Sequence, residues 1–261
     1  MTGEFASRQS YWYFVHSVCS EYRFVHGPEV HEFLEIVRAT ATERVLTVPA
    51  GSLMWRAQLG VGSTTVTHED KESGVSVDIE EDAPFPPQRM KPRAARAVEG
   101  RANPKGIPYL YLSGDRYTAT AEVRPWLEAP VSVGHFEIVR DLKVVDCSAK
   151  GILDLGDDEP SPAKREAAVW SHMDDGFSWP VTAADDHATY VPTQMVAEVF
   201  KRAGYDGIAY RSSCGPGKNY ALFRLEDADL LSCHLFAAKA LQYNFSELGN
   251  PYFVRGPRFT A

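Results

Sequence analysis

Apolar residues in the first fifty positions recur at the spacing of an α-helix. Pro28 suits a first helical turn, and the apolar positions between Val30 and Val37 follow the i, i+3, i+4, i+7 pattern. The preceding stretch, residues 11–25, is rich in aromatic residues and predicts another helix. We therefore expect residues 1–50 to form an N-terminal helical segment.

After a Pro-Ala-Gly-Ser turn at residues 49–52, the pattern changes to short apolar or alternating runs bounded by Gly, Pro or Asp. Runs of this kind are typical of β-strands. The predicted strands cover residues 107–112, 131–139, 143–147, 207–211 and 219–225.

Two helices are predicted between these strands. A Ser-Pro pair is typical of a helix start and predicts a helix over residues 161–170. The apolar stripe at residues 196–203 predicts a second helix, which Gly204 ends. Because the strands cluster without a regular alternation with helices, the predicted fold class is α+β rather than a doubly wound parallel sheet. We expect the main domain to span residues 51–235, with a C-terminal tail at residues 236–261.

The composition is typical of a globular protein. The chain has 261 residues, of which 44% are hydrophobic and 24% charged, and this suits one large domain with an added segment. Its net charge of −8 argues against direct binding to nucleic acid or to an anionic membrane. No apolar run reaches the roughly 18 residues of a membrane helix, and the four cysteines form no CxxC pair. We therefore expect a cytoplasmic protein without a metal site.

Charge is distributed unevenly along the chain. Residues 66–82 contain seven acidic residues and one basic residue, whereas residues 84–105 contain six basic residues and one acidic residue. Further acidic patches lie at residues 154–159 and 185–186. The two long runs are either solvated loops that attract each other, or the basic run faces an anionic small molecule.

Several common catalytic motifs are missing from the sequence. It contains no GxxxxGK[ST] phosphate loop, no GxGxxG, no HExxH and no GxSxG. These absences disfavour a P-loop nucleotide hydrolase, a dinucleotide-dependent dehydrogenase, a metalloenzyme and an α/β-hydrolase.

Three segments remain that carry candidate chemistry. The first places Arg56 at the end of an apolar run, where a strand would deliver its side chain inward. The second is a GRANPKGIPYLYL block followed by a segment that contains Glu122. The third is a YDGIAYRSS block followed by Gly-Lys-Asn. The three segments cover residues 53–56, residues 100–112 with 118–125, and residues 205–213 with 217–219.

In their order and spacing, these segments resemble the RES domain, a family named for its Arg, Glu and Ser. The resemblance covers residues 52–235. It rests on the G-R-x-N-x-x-G-x-P-x-L-Y-L block, on the acidic Glu122 eleven residues after Tyr111, and on the late G-I-x-Y-x-S block that ends at Ser212. Members of the family often carry Tyr directly after the first Arg, whereas Ala57 stands there in this chain.

The resemblance implies a compact fold similar to that of ADP-ribosyltransferases, and cleavage of NAD+ as a substrate without a further cofactor. Many members are toxins that a helix-turn-helix antitoxin neutralises. The family transfers ADP-ribose to inorganic phosphate, to water or to a protein. By the same resemblance, Arg56, Glu122 and Ser212 would be catalytic and Tyr111 would bind substrate.

The chemistry of these side chains agrees with such a reaction. Loss of nicotinamide develops positive charge at the ribose C1 carbon, and Glu122 can stabilise that charge. The pyrophosphate calls for a bidentate guanidinium, which Arg56 supplies, with Arg101 as a second contact. Tyr111 can flank the nicotinamide or the ribose, and Ser212 can orient either one.

Each candidate also has a structural explanation. Arg56 could pair with the acidic run, Glu122 could be a surface carboxylate, and Tyr111 could belong to the core. Turn formation alone explains Ser212, and a structural role is favoured for four polar residues near the motifs. These four are Arg101, Asn103, Lys218 and Asn219, of which Arg101, Asn103 and Asn219 are also candidate substrate-binding residues.

Three functions follow from this reading. The leading one is an NAD+-consuming enzyme that acts as a toxin and transfers ADP-ribose to phosphate or water. The alternatives are an ADP-ribosyltransferase that acts on a protein, and a module that binds NAD+ or ADP-ribose without turnover. An antitoxin partner is expected, and the sequence leaves a homodimer open.

Overall fold

A computed structural model describes residues 3–69, 76–93, 96–149, 160–180, 187–242, 244–247 and 249. The α-helices of this part of the chain are α1 (Ser10–His16), α2 (Pro28–Thr40), α3 (Pro87–Met90), α4 (Arg116–Glu122), α5 (Pro162–Ser178) and α6 (Val191–Arg202). The strands are β1 (Val45–Val48), β2 (Leu53–Leu59), β3 (Gly62–Glu69), β4 (Ser76–Ala83), β5 (Leu110–Ser113), β6 (Pro130–Ile138), β7 (Leu142–Asp146), β8 (Gly207–Arg211), β9 (Lys218–Leu222) and β10 (Ala228–Ala237).

Eight of these strands form one sheet in the order β1-β7-β8-β9-β5-β2-β6-β10. The pair β7 and β8 is parallel, and the other neighbouring pairs are antiparallel. Helices pack beside the sheet without alternating regularly with its strands, so the α+β fold class is confirmed.

The two faces of the sheet bury different hydrophobic clusters. Val145 and Ile208 belong to the first cluster, which contains the apolar sides of α1, α2, α5 and α6. Their chain neighbours Val144 and Ala209 point to the opposite face and belong to the second cluster, with α3. This alternation follows from the two-residue period of a strand, which sends successive side chains to opposite faces.

The N-terminal helices share the first cluster with α5 and α6. Phe14 stacks on Phe33 with ring centroids 4.5 Å apart, and both are buried in the same cluster as Trp170 and Phe200. The N-terminal segment therefore completes the main hydrophobic core. The boundaries near residues 50 and 235 stay predictions.

Most predicted elements are present with small changes in their bounds. The helix that begins at Pro28 and the C-terminal glycine of α6, Gly204 with a φ of +91°, are confirmed. The five predicted strands correspond to β5, β6, β7, β8 and β9. The helix predicted over residues 161–170 continues to Ser178, because apolar residues of its later turns are buried in the core.

Other expectations need correction. The first fifty residues are not wholly helical, because residues 45–48 form β1 and pair antiparallel with β7. The helix expected over residues 11–25 ends at Glu21, after a π-helical turn. The strands β3, β4 and β10 were not predicted from the sequence.

The described parts of the acidic run, residues 66–69 and 76–82, lie in the paired, largely exposed strands β3 and β4 rather than in a loop. Threonine and valine at alternating positions favour strands, and polar pairs join the two strands across the ribbon. Thr67 donates a hydrogen bond to Asp78 at 2.7 Å, and His68 lies 3.0 Å from Glu81. The acidic patches at residues 154–159 and 185–186 lie outside the described residues. In the described part of the chain, no helix combines the length and apolar character needed to cross a membrane.

The shared core generates a stability prediction with a matched control. We expect Phe33→Ala to lower the free energy of unfolding by about 3–5 kcal/mol, because it removes a buried ring from the first cluster. Phe24→Ala, at a ring that is 90% exposed, should change it by less than about 0.5 kcal/mol. Urea denaturation measures both, and equal effects would contradict the shared core.

Candidate active site

The sheet opens between β2 and β5. These two strands share a single register pair, Trp55 with Ser113, whereas β2 pairs with β6 from Leu53 to Leu59 and β5 pairs with β9 along its whole length. Beyond that pair the two strands diverge, and a cavity of about 360 Å³ lies beside the opening.

Most of the residues singled out from the sequence line this one cavity. The lining residues among them are Arg56, Ala57, Arg101, Asn103, Tyr111, Glu122 and Asn219. Ser212 lies directly behind, in hydrogen-bond contact with Glu122. The structure therefore brings together residues that are up to 163 positions apart, from Arg56 to Asn219.

Glu122 is held by one of its two carboxylate oxygens. It is the last residue of α4, whose N-terminus is capped by Asp115 accepting a 2.8 Å hydrogen bond from the Thr118 amide. The Oε1 atom accepts hydrogen bonds from Ser212 Oγ and from Asn219 Nδ2, both at 2.6 Å. The described residues donate no hydrogen bond to Oε2. The carboxylate is thus fixed in place and keeps one oxygen for a ligand.

Asn219 is itself oriented by a neighbour on the adjacent strand. Ser113 Oγ donates to Asn219 Oδ1 at 2.7 Å, which directs the amide group of Asn219 towards Glu122. Both Ser113 and Asn219 are buried. In this structure Asn219 holds the Glu122 carboxylate and also lines the cavity, and substrate binding by Asn219 stays a prediction.

The hydroxyl of Ser212 makes three hydrogen bonds. It donates to Glu122, and it accepts from the backbone amides of Cys214 and Gly215 at 3.0 Å each. Accepting from amides two and three residues ahead is typical of a serine that closes a turn. The turn thus directs the Ser212 hydroxyl at the carboxylate of Glu122, and a catalytic role for Ser212 stays a prediction.

Side chains of two helices, α5 and α4, form hydrogen bonds that hold the loop that carries Ser212. Asp174 of α5 is fully buried and accepts hydrogen bonds from both the guanidinium and the backbone amide of Arg211. On the other side, Thr118 Oγ1 of α4 accepts from the Gly217 amide at 3.0 Å. A Cβ at Gly217 would lie 2.0 Å from Asp115 Oδ2, so only glycine fits this close approach.

Sequence reasoning missed Asp174. Its position within a helix carries no local signal, because a carboxylate in a helix is ordinarily on the surface. The buried ion pair with Arg211 becomes visible only when α5 is packed against the end of β8.

Arg56 projects from β2 across the opening of the sheet. Its Nη1 atom donates a 3.0 Å hydrogen bond to the Tyr111 carbonyl on β5, and its buried Nε atom has no partner among the described residues. Burial lowers the pKa of Arg56 to about 10, so the side chain remains charged at neutral pH. Arg56 makes no ion pair with the described acidic residues, which include those at positions 66–69 and 76–82 of the acidic run.

Arg101 supplies a second incompletely satisfied guanidinium to the same cavity. Its Nη1 atom is also buried without a hydrogen-bond partner in the described part of the chain. Buried polar atoms are nearly always paired, so two unpaired guanidinium nitrogens in one cavity indicate a site for an anionic ligand.

Tyr111 and Asn103 form the wall between these groups. The Tyr111 hydroxyl donates to Asn103 Oδ1 at 2.7 Å and accepts from the Ala102 amide at 3.0 Å, while burial raises its pKa above the ordinary value. Asn103 Nδ2 donates to three backbone carbonyls, those of Val98, Pro104 and Ile107. Asn103 therefore shapes the loop, as its structural explanation holds, and Tyr111 presents its ring to the cavity.

Lys218 takes no part in the cavity lining. Its Nζ atom lies 2.7 Å from Asp146 Oδ2 at the end of β7, and the structural role expected for it stays a prediction. Among the described residues, no group of three His, Cys, Asp or Glu side chains is placed to hold a metal ion.

Comparison with known proteins places the chain in a family. The RES domain family model matches residues 78–245, which include Tyr111, Glu122 and Ser212 and leave Arg56 outside. Among solved structures, the crystal structure of the M. tuberculosis MbcT-MbcA toxin-antitoxin complex is similar at 16% identity and a TM-score of 0.41, over 77% of this chain and 92% of that chain. No curated protein sequence matches. Because the family model covers more than half of the chain, the protein belongs to the RES domain family.

Proposed function

We propose that this protein cleaves NAD+ at the bond between nicotinamide and ribose and transfers the ADP-ribose to phosphate or water. The observation that carries the proposal is the geometry at Glu122. One carboxylate oxygen is fixed by Ser212 and Asn219, the other accepts no hydrogen bond from the described residues, and the same cavity holds two guanidinium groups.

Glu122 acts on the ribose. Nicotinamide leaves with the electron pair of the glycosidic bond and departs neutral, so this step needs no general acid. Positive charge then develops at C1 of the ribose, and a carboxylate held close to it stabilises the transition state. Because Ser212 and Asn219 fix the carboxylate beforehand, little reorganisation is needed as the charge forms.

The two arginines act on the pyrophosphate. A guanidinium presents parallel N–H donors that match two phosphate oxygens, and the buried nitrogens of Arg56 and Arg101 are without other partners in the described chain. Burial disfavours the charged form of Arg56 and lowers its pKa, and a bound anion of charge −2 would compensate that charge. Tyr111 lines the same cavity as Arg56 and Glu122 and offers its ring to the nicotinamide ribose.

The acceptor completes the reaction. Its oxygen forms the new bond to C1 and gives up a proton, so water yields ADP-ribose and phosphate yields an ADP-ribose phosphate. Purified protein incubated with NAD+, with and without inorganic phosphate, separates the two by product analysis. Release of nicotinamide is required for either outcome, and intact NAD+ would contradict the proposal.

One observation favours a second candidate, a module that binds NAD+ or ADP-ribose without turnover. Ala57 lines the cavity where members of the family often carry Tyr, and its methyl side chain supplies neither a ring nor a hydroxyl at that position. Binding of NAD+ without release of nicotinamide would support this candidate. Transfer to a protein is the third outcome, and a labelled protein in place of a labelled small molecule identifies it.

We further propose that the protein is the toxin of a toxin–antitoxin pair and acts in the cytoplasm. The family resemblance supports this, since many RES proteins pair with a helix-turn-helix antitoxin. Loss of cellular NAD+ and arrested growth on expression, reversed by the product of a neighbouring antitoxin gene, are the expected results. Growth that is unaffected while NAD+ is consumed would separate the toxin role from the enzymatic one.

The geometry at Glu122 generates a kinetic prediction. Glu122→Gln keeps a carbonyl oxygen to accept from Ser212 and Asn219 but removes the charge, so we expect nicotinamide release to fall about 10²–10³-fold with NAD+ binding largely kept. Glu128→Gln is the matched control, because Glu128 is exposed and contacts Lys239 at the surface. Equal rates in the two variants would contradict the role of Glu122.

Arg56 generates a prediction on stability. Lowering its pKa from 12.5 to about 10 corresponds to a cost of roughly 3 kcal/mol for keeping the charge buried. We expect Arg56→Met to be more stable than the wild type without ligand, by about 1–2 kcal/mol after loss of the hydrogen bond to Tyr111. Thermal unfolding with and without ADP-ribose tests this, since the variant should also lose the stabilisation by ligand. A less stable variant would show that Arg56 supports the fold.

A further inference from the structure

A second cavity adjoins the candidate active site. It has a volume of about 540 Å³ and shares Arg56, Val98, Asn103 and Tyr111 with the first cavity. We call it the basic groove, because its charged lining residues are Arg56, Arg89, Lys91, Arg93 and Arg96, and the described lining contains no Asp or Glu.

Two of these cations are already engaged. Lys91 Nζ lies 3.2 Å from Asp229, and the Arg89 guanidinium lies 3.7 Å from the centre of the Phe85 ring. The Arg89 backbone is also tied to β2, because its carbonyl accepts a 3.0 Å hydrogen bond from Gln58. These contacts fix one wall of the basic groove.

Arg93 and Arg96 remain uncompensated. Their exposed side chains make no hydrogen bond or ion pair with the described residues, and both residues line the basic groove. The Arg96 amide donates a 3.0 Å hydrogen bond to the Arg93 carbonyl, which brings the backbone at these two positions together. Five cationic residues around one groove, with no described acidic residue in its lining, give a local positive potential in a protein whose net charge is −8. Such an arrangement is stabilised by a bound anion.

The charge of the groove exceeds what a dinucleotide with one pyrophosphate requires. A pyrophosphate anchored at Arg56 and Arg101 needs two positive charges, and both come from the first cavity. If the nicotinamide ribose lies at Glu122, the rest of the ligand passes Arg56 into the basic groove, because Arg56 lines both cavities. Arg93 and Arg96 are then free for a further phosphate.

We propose that the basic groove is a second phosphate subsite, in which Arg93 and Arg96 bind a phosphate dianion additional to the pyrophosphate. This rests on the proposed function. The phosphate has two sources of the same chemistry: a 2′-phosphate on the adenosine ribose of the dinucleotide, or free inorganic phosphate bound beside it. The subsite therefore decides whether the protein prefers a dinucleotide with a 2′-phosphate, or binds free phosphate as an additional ligand in the basic groove, away from the ribose C1 carbon at Glu122.

The test measures dissociation constants on the wild-type protein by calorimetry. The probes are ADP-ribose, ADP-ribose 2′-phosphate, and inorganic phosphate added to the protein with and without ADP-ribose. None of them carries nicotinamide, so binding is read without turnover. The same titrations are made on an Arg93→Gln/Arg96→Gln double variant, and on Arg38→Gln as a control at an exposed arginine of α2 that contacts Glu35.

If ADP-ribose 2′-phosphate binds at least tenfold more tightly than ADP-ribose, and this difference is lost in the double variant and kept in Arg38→Gln, the dinucleotide is the source of the phosphate. Binding of inorganic phosphate that the double variant loses supports free phosphate. The proposal is overturned when neither probe responds to the two arginines. If ADP-ribose fails to bind while inorganic phosphate still depends on Arg93 and Arg96, the proposed function fails and the subsite stands.

Discussion

The divergence of β2 and β5 is the constraint on which the site depends. A continuous sheet would pair the backbone groups of these strands along their length, but after Trp55 and Ser113 the ladder stops. The Arg56 side chain then reaches across and donates to the Tyr111 carbonyl, a backbone acceptor that the missing ladder leaves available. The opening thus creates the cavity and, through the same hydrogen bond, places a buried cation at its edge.

The carboxylate side of the cavity is built from parts that are distant in sequence. The position of the Glu122 carboxylate is fixed by its hydrogen bond from Ser212. The turn that carries Ser212 is held in turn by hydrogen bonds to Asp174 of α5 and Thr118 of α4. The helix α4 carries Glu122 and also Thr118, which binds the loop that contains Ser212. A movement of α4 would therefore displace both partners of the Ser212–Glu122 hydrogen bond together. The network therefore fixes the relative positions of the two side chains more firmly than either element could alone.

The sequence predicted the elements and residues whose signals are local. Pro28, Gly204 and the apolar runs of β6 and β8 identified helices and strands. The family resemblance singled out Arg56, Glu122 and Ser212, which the structure brings to one cavity. Signals that depend on tertiary contact were missed. The short β1 is a strand because β7 offers a partner. The long edge strand β10 pairs with β6, and most of its residues alternate between partly buried and exposed in that pairing.

The same limit applies to individual side chains. Asp174 looks like an ordinary surface carboxylate until Arg211 is brought to it, and Asn219 looks like a turn residue until Ser113 orients its amide. Arg56 shows the opposite case, in which the family pattern identified the residue but gave no sign that its charge is buried and incompletely paired. A protein optimised for stability alone would replace such a group with an apolar side chain. Arg56 lies in the same cavity as Arg101, whose guanidinium also has an unpaired nitrogen. The presence of both is explained if the missing partner is an anionic ligand. Part of the binding free energy would then come from compensating charges that the folded protein leaves unpaired.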